Sequence, residues 1–362
     1  MSSHAPGGKD RAIGWALAGL VAVHGLWLLF RWGGPRATDV ASDLFQVVIL
    51  GGAAAWAWRS TRQAGESRLA WSLLAAGMTT WAFATAYWSY WEIFKGMLLP
   101  VPSAADVGWL LYTALATAAF LVAALRRRSP TQVAVAALDT VLTAVGLFLV
   151  VWILLLEDVW AAATGSTVVL VVTLAYPLGD VAVVTAALGY AFRLQSEDRR
   201  QVWALPVGAT LVALGNLNLS WSYLHAGFQS GSVSDVLWTG GLALVGYGVH
   251  CATRTKLRPV PSFATQFEQG LPYLVGAAAL GVVTWHYIRA GALEELDQAV
   301  ALVWISLFLA RQFLFLRHAV DVQRRLEQAQ ALAGLGSWEV VGQRIRLSPM
   351  ADALLAGRPS PN

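Results

Sequence analysis

Two carboxylates lie where ionised groups are rare. Asp139, in VAALDTVLTAV, and Asp180, in VVTLAYPLGDVAVV, sit inside long apolar runs. A carboxylate near the centre of a bilayer costs on the order of 2.5–3.5 kcal/mol, so each should face other helices and find a partner there. Pro177 and Gly179 come just before Asp180. They are expected to loosen the helix and free backbone carbonyls, where Tyr176 and Asp180 would meet a ligand, an ion or a neighbouring helix. Asn216 and Asn218 fall at a compatible depth in a later segment, and Asp43 is a weaker copy of the same arrangement. Two readings follow: a sensing or ion site, or a buried polar knot joining helices. His24 and His286 lie at similar depth near the ends of the first and ninth apolar segments, a placement that permits axial ligation of a haem. Hydrogen-bonded interfacial histidine is the simpler account of the pair. The lone Cys251 has no thiol to pair with, and no Cys-x-x-Cys or His-x-x-His spacing points to a metal. There is no P-loop, no GGDEF-like loop, no kinase histidine box and no Gly-x-Ser-x-Gly. No catalytic residue and no cofactor is assigned, and the chain is read as a non-enzyme.

The elements that must hold these residues are apolar helices. Apolar residues make up 57% of the chain and charged residues 13%, and mean hydropathy is +0.56. Ordinary soluble domains have roughly 45–50% and about 25%. The fold class is therefore an all-α polytopic membrane protein. Segments near the ~20 residues needed to cross a bilayer recur at 12–30, 40–58, 69–91, 106–125, 132–155, 168–192, 201–224, 233–251, 270–288 and 296–316. Fourteen Lys and Arg fall in the even-numbered loops and the N-terminal stub, among them Arg59, Arg126 to Arg128 and Arg254. Only Arg31, Arg36, Lys95 and Arg289 fall in the others. The positive-inside rule then puts both termini in the cytoplasm. The same topology and anionic inner-leaflet lipid account for a pI near 9.4, so nucleic-acid binding is not inferred. Outer loops are at most about a dozen residues long, too short for a separate binding domain. A small-molecule or membrane stimulus would thus be read inside the bundle or at its outer rim.

An internal repeat organises the first eight segments. Trp-Ser-Tyr at Trp88 to Tyr90 and at Trp221 to Tyr223 is followed by Ser103-x-x-Asp106-x-x-Trp109 and Ser232-x-x-Asp235-x-x-Trp238. The copies lie four segments apart, which implies a parallel 4+4 duplication, 12–125 and 132–251, plus two further helices. Ser103, Asp106, Ser232 and Asp235 have capping-box spacing and are read as structural caps. Of the eighteen Trp, ten including Trp88, Trp152 and Trp221 sit near outer segment ends, and Trp15, Trp58, Trp71 and Trp203 near inner ones. This is the pattern of an interfacial belt.

The tenth segment reads on as helix through RQFLFLRHAVDVQRRLEQAQALA. Phe308, Gln312, Phe315, Ala319, Val322, Leu326, Ala329 and Ala333 alternate spacings of four and three, a coiled-coil seam that predicts a homodimer. An amphipathic helix on the inner leaflet is the competing reading, favoured by Arg317, Arg324 and Arg325. Beyond it, GLGSWEVV and QRIRLSP read as two strands, with MADALLAG starting a helix. The stretch LEQAQALAGLGSWEVVGQRIRLSPMADALLAG resembles the opening of a PAS domain, where a signalling helix leads through Gly-x-Gly-x-Trp into the first strands. The membrane part is similar to the polytopic regions that precede PAS and GGDEF or EAL cyclic-di-GMP modules in bacterial signalling proteins, on LDTVL, AYPLGD and SDVLWTGGLALVGYG. The resemblance implies four parts: a bundle over 1–251, a loop and two helices over 252–316, a signalling helix over 317–335 and an incomplete PAS-like segment over 336–362. A PAS core needs on the order of 100 residues, so no PAS cofactor is assigned. The function so implied is signal input from the bacterial inner membrane to an output cyclase, phosphodiesterase or kinase domain. A transporter and a haem-binding redox protein are the alternatives.

Overall fold

The computed structural model describes residues 8–100, 102–125, 130–157, 167–192, 202–225, 230–254, 262–293, 295–332, 338–341, 344–347, 351–352 and 355–356. Ten helices form among them: α1 Gly8–Phe30, α2 Pro35–Thr61, α3 Arg68–Tyr90, α4 Ala104–Leu125, α5 Pro130–Val151, α6 Thr167–Phe192, α7 Ala204–His225, α8 Val233–Ala252, α9 Ser262–Ala290 and α10 Glu295–Leu332. Short π turns, Trp91–Lys95 and Trp152–Leu156, extend α3 and α5. Every apolar segment is a helix, and seven of the ten (α1 to α6 and α10) are long and apolar enough to cross a membrane. The other three, α7, α8 and α9, are not among these seven, and α7 and α8 carry polar residues within their apolar runs. Asn216 and Asn218 lie in α7, and Asp235 and His250 in α8, whose side chains are largely enclosed by neighbours. A helix shielded by protein can hold polar residues that lipid would reject.

Local chemistry sets the helix ends. Gly33 and Gly34 take φ of 86° and 87°, and Pro35 then begins α2 with its fixed φ. The α2 helix starts five residues earlier than its apolar run, so Asp43 lies two turns inside it. Pro177 is accommodated within α6, which runs through it without a break, although a proline has no N–H to give the carbonyl one turn earlier.

Packing is pairwise and reciprocal. The closest pairs are α3 with α4 and α7 with α8; beyond these, α2 lies against α3 and α8, and α6 against α4 and α7. Where α7 crosses α8, a Cβ on Gly208 would stand 2.5 Å from the Gly241 carbonyl oxygen, and one on Gly241 2.7 Å from that of Gly208. Only glycine allows that backbone approach. Trp56, Trp71, Trp81, Leu74, Tyr112, Phe120 and Leu205 fill the core. The Trp belt is therefore only partial. Trp15, Trp32, Trp58, Trp221 and Trp285 are exposed, whereas Trp71, Trp88 and Trp152 are buried in the bundle.

The chain divides into two compact units, Met1–Trp304 and Ile305–Asn362. The first includes α9 and the start of α10, which sequence set apart from the bundle. In it, α9 packs on α5, and the Trp304 indole donates to the Leu142 carbonyl at 3.1 Å. In the second, α10 continues as helix to Leu332, and Trp338–Val341 pairs antiparallel with Arg344–Leu347. The two predicted strands are present. Ala333, the last seam position, and half of MADALLAG lie outside the described residues.

Candidate functional site

The two capping carboxylates do more than cap. Asp106 Oδ2 accepts the Ser103 backbone N–H at 2.6 Å and its hydroxyl at 3.1 Å, while Oδ1 accepts the Tyr176 hydroxyl of α6 at 2.6 Å. Asp235 Oδ2 accepts the backbone N–H groups of Gly231 at 2.8 Å and Ser232 at 3.3 Å, and the Ser42 hydroxyl of α2 at 2.7 Å. Each carboxylate thus closes its own helix start and receives a hydroxyl from the second helix of the opposite half. Trp109 and Trp238, three residues after each Asp, donate back to the preceding helix, to Thr85 at 3.3 Å and Asn216 at 2.9 Å.

Asp180 has found a partner. Its Oδ2 accepts the Asn216 side-chain N–H at 2.8 Å, and Asn216 Oδ1 accepts the Trp238 indole, so one chain of bonds ties α6, α7 and α8. Asp180 is 5% exposed and within electrostatic reach of Tyr112, whose buried hydroxyl has no hydrogen-bond partner. Gly179 packs against α4: a Cβ there would stand 2.6 Å from Thr113 Oγ1 and 2.8 Å from its Cβ. The sequence grouped Asp180 with Tyr176, Asn216, Asn218 and Asp139. The structure joins it to Asn216, turns Tyr176 to Asp106, and bonds Asn218 to Ser234 at 2.9 Å. Asp139 is half-buried in α5, where its carbonyl accepts the Thr143 hydroxyl.

His24 belongs to a third cluster. It is fully buried, stacked on Phe45, with Nε2 2.9 Å from Ser42 Oγ and Nδ1 3.2 Å from Thr239 Oγ1. Ser42 gives its one proton to Asp235, so its oxygen accepts from His24 Nε2–H, while the Thr239 hydroxyl beside Nδ1 donates to the Asp235 backbone carbonyl at 2.9 Å. Asp43, 2% exposed, lies beside the Ser89 hydroxyl, and its Oδ2 has no hydrogen bond within 3.5 Å. Glu92, Asp235 and Asp39 all act on it through space. Glu92 is held by Ser230 at 2.7 Å and the Trp88 indole at 2.9 Å. His286 sits apart in composition, with Glu157 3.7 Å from one ring nitrogen and Asp297 3.8 Å from the other. Both ring nitrogens of His24 are hydrogen-bonded, whereas those of His286 lie near carboxylates but beyond hydrogen-bond distance. Among the described residues no group of three or more His, Cys, Asp or Glu is placed to hold a metal.

Compared with known proteins, the chain matches no family model, no curated protein and no solved structure.

The arrangement ties α1 and α8 to α2, α4 to α6, and α6 through α7 to α8 by buried or part-buried side-chain bonds. Sequence reading missed Ser42, Glu92, Tyr112 and Thr239. Ser42 and Thr239 give no signal, since a hydroxyl is common in membrane helices. Glu92 had one: a carboxylate directly after a run of Trp and Tyr, at the end of the third apolar segment.

Proposed function

We propose that this chain is the input half of a membrane signalling protein. It sits in a bacterial inner membrane with both ends in the cytoplasm, and it relays a stimulus through α10 to a PAS-type domain and an output domain of the cyclic-di-GMP class. The observation that carries this reading is α10 itself. It runs 38 residues without a break, about 57 Å at 1.5 Å per residue, and only its first part, Asp297–Asp321, is a candidate membrane span. The remainder, through Gln323 to Leu332, is polar and leads to a two-stranded hairpin opening at Trp338. A transporter does not require such an extension. Phe315, Ala319 and Leu326 of the proposed seam are exposed in the single chain, as a dimer seam requires.

The polar clusters are the part that moves. Asp180 with Asn216, Asp106 with Tyr176, and Asp235 with Ser42 each bridge helices, so a stimulus that breaks one bridge shifts the packing of two helices at once. The test is a chimera in which a cyclic-di-GMP-forming module follows Asn362. Deleting two residues of α10 beyond Asp321 turns everything that follows by about 200° and should change the cyclic-di-GMP level severalfold, whereas deleting seven there should restore it. Output indifferent to both deletions would sink the relay. Substrate uptake into vesicles carrying the purified protein would favour the transporter instead.

A further inference from the structure

A cavity of about 600 Å³ opens where α1 ends, α2 begins, the π turn after α3 ends and α8 begins. That is the end the Lys and Arg distribution assigns to the outside, and the volume is that of a small-molecule site. Its wall carries both signs of charge. Arg31 and Arg36 flank the start of α2, Asp39 lies one turn into it, and Glu92 comes from the turn after α3. Met97 and Leu98 add apolar surface. Among the described residues neither arginine has a carboxylate within 4 Å, and Asp39 senses Arg31 only through space.

The backbone around the cavity is built, not slack. Arg31 holds φ of 48°, a left-handed conformation that non-glycine residues adopt at a cost, and Gly33, Gly34 and Gly231 are left-handed beside it. A Cβ on Gly231 would stand 3.1 Å from Asp39 Oδ1, so that loop rests directly on α2. Strain of this kind persists where the surroundings hold it, and it gathers at ligand sites. Four residues beyond Asp39 on the same face of α2, buried Asp43 has an oxygen without a hydrogen bond, with Glu92 and Asp39 acting on it.

We propose that this cavity binds a small zwitterion, its anionic group held by Arg31, Arg36 and the N-terminus of α2, and its ammonium by Glu92 and Asp39. A simple anion would meet the two carboxylates, and a simple cation would meet the two guanidinium groups. A molecule carrying both charges on a short apolar body satisfies both sets. Two sources offer that chemistry: a free amino acid, and the phosphoethanolamine headgroup of a lipid. That the ligand is the stimulus rests on the sensor reading above; that it binds does not, so the two fail separately.

The test uses the full chain purified in lipid-free detergent, with L-leucine and L-methionine as probes and intrinsic tryptophan fluorescence and melting temperature as readouts. Trp88 is bonded to Glu92, so occupancy should reach an indole directly. A free-amino-acid site gives a saturable response to one of the probes, at least tenfold weaker for N-acetyl-leucine and for leucine methyl ester. Arg36→Gln should then weaken leucine at least tenfold and leave the methyl ester unchanged. Arg36 is exposed, and an unchanged melting temperature without ligand shows that the variant is folded. A headgroup site gives no response to either probe, but phosphatidylethanolamine added to phosphatidylglycerol nanodiscs raises the melting temperature of the parent and not of Arg36→Gln. No response to probes or lipid, equal response to blocked probes, or an Arg36→Gln variant that binds like the parent overturns the proposal.

Discussion

At the scale of single residues, Gly179 separates two explanations of the AYPLGD stretch. Sequence reading took Pro177 and Gly179 as devices that loosen a helix, but α6 is continuous and Gly179 is a contact with Thr113. Thr113 cannot swing away, since its hydroxyl is bonded to the Leu110 carbonyl at 2.8 Å and its Cβ is fixed by the backbone. Gly179→Ala should therefore lower stability by about 1–3 kcal/mol, the usual effect of overpacking. Gly51→Ala, with nothing within 4 Å of the added atom, should be neutral or mildly stabilising. Thermal melts in detergent check both. A Gly179→Ala variant that melts with the parent would return Gly179 to the loosening role.

At the scale of elements, the charge of α10 and its apolar seam compete to decide where it lies. A leaflet-bound helix would bury Phe315 and Leu326 in lipid and leave two copies apart, whereas a coiled coil would pair them. With Cys251 changed to Ser, single cysteines at Ala319, Leu326 and Ala329 should form intermolecular disulfides in membranes severalfold faster than cysteines at Asp321 or Arg324. Even rates around the helix would favour the leaflet. The seam was readable because its period is a one-dimensional property. Which elements its neighbours contact was not, because four exposed apolar residues outside it, Leu309, Phe313, Leu316 and Val320, are equally open to lipid.

At the scale of the whole molecule, the alternation of helices carries a consequence for sidedness. Asp10 at the start of α1 pairs with Arg254 just beyond α8 at 2.5 Å and lies 3.6 Å from Arg59 near the end of α2. Arg31, Lys95 and Ser230 mark the opposite ends of their helices. Reporter fusions after Lys95 and after Arg128 should thus label opposite faces of the membrane, with the Arg128 fusion inside. Equal labelling would require an even number of crossings between them, which a single α4 does not allow.

Composition and the spacing of apolar runs were enough to determine the ten helices found among the described residues, because burial in lipid demands long uninterrupted apolar segments and each such segment satisfies its own backbone. The hairpin after α10 was legible for the same local reason, in its alternation and turn residues. The partners of the buried polar groups were decided only in three dimensions. His24, Ser42, Thr239 and Asp235 come from three helices and span most of the bundle's sequence, and nothing in the chain order says that their faces meet. Depth along a helix can be counted from its ends, but rotation about its axis is set by packing. Trp71 and Trp88 therefore proved to be core, and Tyr176 turned to Asp106 while Asp180 turned to Asn216.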